Sequence, residues 1–322
     1  MYDYFMKKSV YQMFICGTGN YLDKALKQGL GGVIFFTRDI QSKEQFQNLI
    51  KQIVNQSIIY PFLSIDQEGG RVERTENIHK RYLSPRFAYE KGKEFLTKQT
   101  ETIAKELAEY GINLNFAPCA DVNTNPENPI IGERAFSDKT EDVILGVNLV
   151  SDIYRKNGII PCIKHYPGHG DANKDSHLTL PQIDLPFEKM NEIHIKPFRS
   201  AVINGTEMIM AAHLHCTCFD KEQIPSSLSK NAIGYLRNNL NYDGIIISDD
   251  MVMKGVQAYG STEAVIMGIN AGLDMFIFRD CDKQTIKTIE NVAEIVEKDE
   301  LLKQRVLESN KRISKLKQRF LT

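Results

Sequence analysis

At 322 residues the chain is long enough for one large α/β barrel, which needs about 250 residues, or for two ordinary domains. Its 42% hydrophobic and 25% charged residues are those of a globular protein with enough apolar material for a large core. A formal charge of -1 argues against a polyanionic partner, so no nucleic-acid ligand is expected.

The amino-terminal segment MYDYFMKKSVYQMFICG has neither a long apolar stretch nor a small-residue cleavage site, and nowhere do 18 apolar residues run together. An untargeted, cytoplasmic protein with no membrane partner is expected. Six cysteines (Cys16, Cys119, Cys162, Cys216, Cys218 and Cys281) are scattered without a CxxC pair, which predicts reduced, mostly buried thiols.

In chain order, short apolar runs recur at Tyr11–Ile15, Gly32–Phe36, Pro61–Ile65, Ile112–Ala117, Ile159–Ile163, Glu207–Ala211, Gly244–Ile247 and Asp274–Phe278. They are continuous rather than alternating, as parallel strands buried on both faces require. Helical periodicity falls between them. In Ser42–Asn55, Phe46, Leu49, Ile50, Ile53 and Val54 share a face, and Ser42 with Gln45 suits a capping box. Further helices are predicted at Lys93–Tyr110, Thr140–Lys156, Ser229–Leu240 and Ser261–Ala271. An amphipathic tail over Asp299–Leu321 would pack through Leu302, Val306, Ile313 and Leu316. Eight strands alternating with helices, with no glycine-rich dinucleotide fingerprint after the first, favour an α/β fold of the closed (β/α)8 TIM type. No repeat or composition break divides the chain, so a single domain over 1–322 and a monomer are expected.

The densest polar stretch is Lys164–Pro181, KHYPGHGDANKDSHLTLP. Pro167, Gly168 and Gly170 make it a loop after the fifth strand, and the two glycines are read as giving that loop freedom to move. Asp175 and His177, one residue apart, form a candidate proton-transfer pair. Other barrel strands end in Asp66, His213 and Asp249–Asp250, and Arg134 follows the fourth. Polar residues converging at strand ends call for a polar ligand.

Two constellations fit these residue types. In one, Asp249 is a nucleophile and Asp175/His177 the general acid/base of a displacement through a covalent intermediate. In the other, His165, His169, His213, His215 and Asp249 hold a metal that activates water, as in an amidohydrolase-like barrel. His169 and His215 equally suit backbone carbonyl partners, and His79 and His194 are read as surface residues.

The segments IDQEGGRV, GERAFSD, KHYPGHGDANKDSH, MAAH and ISDDM, in that order over about residues 32–274, resemble glycoside hydrolase family 3, specifically its bacterial β-N-acetylglucosaminidases. The resemblance implies a retaining enzyme with Asp249 as nucleophile, His177 as acid/base and Asp175 as its orienting carboxylate, with Asp250 in support. It places Asp66, Arg74, Arg134, Lys164, His165 and His213 in substrate binding. It further implies an N-acetylglucosamine-containing muropeptide substrate, a role in peptidoglycan recycling, and no metal or organic cofactor. A β-glucosidase of the same family is the neighbouring alternative. Thr75 and Met251-Val252 stand where the family often has an aromatic residue and Leu-Ser.

Overall fold

The computed structural model describes residues 2–172 and 180–321; Asp175 and His177 lie outside the described residues. Eight parallel strands close on themselves: β1 (Phe14–Cys16), β2 (Gly32–Phe35), β3 (Phe62–Ile65), β4 (Leu114–Asn115), β5 (Ile160–Tyr166), β6 (Met208–Ala211), β7 (Ile245–Asp250) and β8 (Met275–Phe278). Each pairs with its sequence neighbours, and β1 pairs with β8 to seal the (β/α)8 barrel. Each of the eight apolar runs contributes one of these strands.

Where the bounds differ, pairing explains the difference. Tyr11 ends the helix Tyr2–Tyr11, so β1 starts at Phe14. The fifth run continues to Tyr166 and the seventh to Asp250, because each strand goes on pairing with a neighbour. Both extensions carry an extra residue. Ile163 and Tyr166 oppose Ile209 and Ala211, so three steps on β5 match two on β6. Likewise Ile247 and Asp250 oppose Met275 and Ile277. Such bulges break the period of two and re-aim side chains, and here they fall at Lys164–His165 and Ser248–Asp249.

The helices Lys93–Tyr110, Thr140–Lys156 and Ser261–Ala271 have the predicted bounds. Helix Lys43–Gln56 is capped by Ser42, whose Oγ accepts from the Gln45 N–H at 3.2 Å, although Gln45 Oε1 reaches back to Gln41 N rather than to Ser42. The segment 229–240 divides into a short α-helix, Lys230–Gly234, and a π-turn, Tyr235–Asn239. Helix Lys283–Lys298, capped by Asp282, was not anticipated. The last helix, Glu300–Phe320, buries Leu302, Val306, Ile313 and Leu316 as expected. All six cysteines are free, five of them buried. Among the described residues, no helix is long and apolar enough to cross a membrane.

Two histidines depart from the surface reading. His194 is wholly buried, and His79 is half-buried between Glu106, 2.9 Å away, and the Tyr110 hydroxyl. The loop glycines also have another role. A Cβ on Gly168, whose φ is +121°, would lie 2.7 Å from the His194 Cβ, and one on Gly170 would lie 1.7 Å from the Val122 carbonyl oxygen. Both therefore permit close approach of the backbone at these two positions.

At the amino-terminal end of the barrel, the buried Asp274 fastens the last helix to the sheet. Its carboxylate accepts from the Ile246 N–H (3.0 Å), Ser309 Oγ (2.9 Å), Arg312 (3.3 Å) and Arg237. Removing it would strand at least one buried guanidinium. Asp274→Ala is therefore expected to lower unfolding free energy by about 3–5 kcal/mol, measured by urea titration. A loss under about 1 kcal/mol, the size of a surface pair, would contradict this.

Candidate active site

The carboxyl-terminal strand ends surround a cleft of about 230 Å³ whose wall includes Asp66, Arg74, Arg134, Lys164, His165 and Asp249. Six of the sequence-derived residues thus meet in one place. His213 is buried and is not part of that wall, and Asp175 and His177 lie outside the described residues.

Lys164 is the hub. Its side chain is 2% exposed, and its ammonium lies 2.7 Å from Asp66 Oδ1 and 2.6 Å from Glu68 Oε1. Burial would drive the amine toward neutrality, but Asp66 and Glu68 outweigh it and raise the pKa, so Lys164 is a fixed cation. Arg134 grips Glu68 in a fork, with Nε to Oε2 at 2.9 Å and Nη2 to Oε1 at 2.8 Å. Burial opposes ionisation of Glu68, yet the Arg134 and Lys164 charges and hydrogen bonds hold it well below the usual carboxylate range.

Arg134 Nη2 also lies 3.3 Å from His165 Nε2. A guanidinium only donates, so Nε2 accepts and the His165 proton sits on Nδ1, 2.7 Å from Asp121 Oδ2. Asp121 accepts from the His169 N–H at 2.6 Å as well. Burial notwithstanding, His165 and His169 keep its carboxyl well below the usual range. A continuous chain of polar contacts thus runs from Asp66 through Lys164, Glu68, Arg134 and His165 to Asp121.

The adjacent aspartates of β7 differ sharply. Asp249 lines the cleft, and its Oδ1 accepts the Asp250 N–H at 2.7 Å, which leaves Oδ2 without a protein hydrogen bond among the described residues. Burial disfavours its charge, but the fields of His165 and His213, that N–H and Lys164 together lower its pKa. Asp249 is an ionised carboxylate with one oxygen available. Asp250 pairs with Arg279 and accepts from the Val252 N–H at 3.2 Å; burial nonetheless raises its pKa. His213 donates or accepts through Nδ1 at the Ser227 hydroxyl, 2.7 Å away. Burial lowers its pKa against the pull of Asp249.

Arg74 reaches the cleft wall with its guanidinium 5.8 Å from the Phe36 ring centroid, and its backbone N–H is fixed by Gln67 Oε1 at 2.9 Å. The tight loop that presents it turns at Gly69 and Gly70, with φ of +95° and +62°.

The five-residue metal constellation is not assembled. His215 lies in a separate two-stranded pair with its Nε2 2.9 Å from the Asp220 carbonyl oxygen, and His165 and His213 each use a ring nitrogen on another side chain. Among the described residues, the group whose ligand atoms come within 4.8 Å of one another is Cys119, Asp121 and His165. There the Sγ–H and Nδ1–H both already point at Asp121. The donor set of the sequence-based metal reading does not fit a metal here.

Sequence reasoning missed Glu68, Asp121, Arg279 and Ser227 as members of the site. Glu68 stood in view two residues after Asp66, and Asp121 follows the fourth strand in CADVN, but their roles depend on partners far along the chain.

Comparison with known proteins follows the same lines. Residues 11–316 match the Glycosyl hydrolase family 3 N terminal domain, and the chain belongs to this family. It is 31% identical over 318 residues to Beta-hexosaminidase A of Pseudoalteromonas piscicida, covering 89% of this chain and 53% of that one. It is 33% identical over 255 residues to Beta-hexosaminidase of Tolumonas auensis, covering 77% and 75% respectively. A family 3 beta-N-acetylglucosaminidase structure from Paenibacillus sp. str. FPU-7 superposes with a TM-score of 0.93 at 29% identity, over 98% of this chain and 62% of that one. The chain thus spans little more than half the length of some relatives it matches.

Glu68, Asp121 and Asp249 all have folded-state pKa values depressed below their unfolded ones. Their stabilisation is complete above the ordinary carboxylate range and is lost as pH falls through the folded values. The melting temperature is therefore expected to fall from about pH 5 downward. Glu68→Gln should be less stable at pH 7 and show a shallower acid slope; thermal melts across this range test it, and an unchanged slope would contradict the assignment.

Proposed function

We propose that this chain is a retaining exo-β-N-acetylhexosaminidase that releases terminal β-linked N-acetylglucosamine from muropeptides during cytoplasmic peptidoglycan recycling. The observation that carries this reading is the ionised Asp249, with one oxygen free of protein hydrogen bonds among the described residues, in a small cleft also lined by Asp66, Arg74, Arg134, Lys164 and His165. The cleft is below the roughly 300–1,000 Å³ of sites for larger ligands, which suits one sugar ring and hence exo action. The hexosaminidase names of the relatives support the acetamido sugar; the muropeptide and the recycling role rest on the sequence resemblance.

In this reading Asp66 accepts hydrogen bonds from sugar hydroxyls, while Lys164, Arg134 and Arg74 donate to hydroxyl or acetamido oxygens. Asp249 attacks the anomeric carbon as the glycosidic bond breaks. His177 protonates the departing oxygen, and the same imidazole then takes a proton from the water that releases the sugar. Asp175 orients His177 and favours its cationic form. His213 is held in place by Ser227. No step calls on a metal or organic cofactor.

Two displacements at one carbon retain configuration. Proton NMR of the first product of a chromogenic β-N-acetylglucosaminide should show the β-anomer, with turnover unaffected by chelator; an initial α-anomer would remove Asp249 from the nucleophile role. Asp249→Asn should lower kcat by about 10³-fold or more while the protein stays folded. His177→Ala should lose far more activity on alkyl glycosides than on aryl glycosides with good leaving groups, since only the former need an acid. Equal losses on both would exclude His177 as that acid.

A further inference from the structure

Opposite the catalytic cleft, a second cavity of about 800 Å³ opens between helices Tyr2–Tyr11 and Glu300–Phe320. Gln12, just before β1, and Ile59, just before β3, form part of its wall, which puts it beneath the amino-terminal mouth of the barrel. Its volume falls within the range of small-molecule sites.

At the inner end lies Lys317, 8% exposed. Its ammonium donates to Gln12 Oε1 at 3.1 Å and stands 5.0 Å from the Phe62 ring centroid. Gln12 is itself fixed by donating Nε2 to the Gly29 carbonyl at 2.5 Å. An ammonium has three donors, and among the described residues its one hydrogen bond goes to a neutral amide. Among the described residues no carboxylate offsets the burial, which lowers the pKa to about 7. Near neutrality such an amine is only partly charged, and an anion placed beside it would restore the charge.

The rest of the wall says what that something is. Lys8 and Lys311 add two amines that form no ion pair among the described residues, and the wall's carboxylate, Glu308, is already paired with Arg305 at 3.0 Å. Phe5, Ile59 and Leu307 give an apolar lining. Phosphate or another small inorganic anion would satisfy the amines but leave that lining wet, whereas a hydrocarbon alone would leave Lys317 unpaired.

We propose that this cavity is a binding site for a small monocarboxylate with an apolar body, its carboxylate on Lys317 and its hydrocarbon against Phe5, Ile59 and Leu307. The site is remote from the catalytic cleft and does not rest on the glycosidase reading. Because bound carboxylate favours the protonated amine, binding takes up a proton above neutrality, and affinity falls as pH rises past Lys317's free value, by up to about tenfold per pH unit.

The test is calorimetric titration of the full chain with octanoate, octan-1-ol and inorganic phosphate at pH 7 and pH 9. Octanoate should bind at pH 7, weaken by at least tenfold at pH 9, and exceed both other probes by at least tenfold. Lys317→Met, which keeps the side-chain volume, should weaken octanoate at least tenfold while its circular dichroism and glycoside turnover match the parent. Should that variant fail to fold, the surface double variant Lys8→Gln/Lys311→Gln should still weaken octanoate severalfold. Absence of octanoate binding, equal binding by phosphate or octanol, affinity independent of pH, or full affinity in a folded Lys317→Met or in the double variant would each overturn the proposal.

Discussion

The site depends on keeping one ammonium charged where water barely reaches it. Lys164 is tolerated because Asp66 and Glu68 both lie within 2.7 Å, and that pair of carboxylates is tolerated in turn because Arg134 neutralises the second. Two cations and two anions balance, so the cluster carries no net charge despite its burial. Breaking any one contact leaves an uncompensated buried ion, which is why β3, β5 and the loop after β4 hold a fixed relative position at their carboxyl ends. Arg134 extends that constraint to His165 and so to Asp121 and the start of the loop after β5.

The same field makes neighbouring identical residues chemically different. Asp249 and Asp250 share a strand end and both line the cleft, but the second is tied to Arg279 and to backbone N–H groups while the first keeps one oxygen without a protein hydrogen bond among the described residues. Lys164, His165 and His213 favour the charge on Asp249, whereas for Asp250 burial outweighs Arg279. Position on the strand, more than residue type, separates a candidate nucleophile from a brace. The bulge on β5 falls at Lys164 and His165, which face the cleft from consecutive positions.

The barrel was legible because its strands are buried on both faces and therefore apolar throughout, as in GVIFF and DMFIF. Helices with one strong apolar stripe, such as Lys93–Tyr110, were legible to the residue. Helix Lys283–Lys298 was passed over although Ile286, Ile289, Val292 and Val296 line its buried face. The cleft was legible through residues that stand at strand ends, Asp66, Lys164 and Asp249 among them. What the sequence could not display was pairing across distance. Lys164 and Asp66 are 98 positions apart, and Asp121 and His165 are 44 apart, so Glu68 and Asp121 read as ordinary acidic residues until the fold supplied their partners. His194 gave no signal of burial, because its neighbour Gly168 belongs to a different segment.

The account's central claim is that Asp249 is the carboxylate that bonds to the sugar, and covalent trapping tests it most directly. The chain would be incubated with a 5-fluoro N-acetylglucosaminyl fluoride, digested, and mapped by mass spectrometry. The account predicts one added sugar on the peptide containing Ser248–Asp249–Asp250, fragmenting to Asp249. A label on Asp250, on any other residue, or no label under conditions in which the probe is turned over would contradict it.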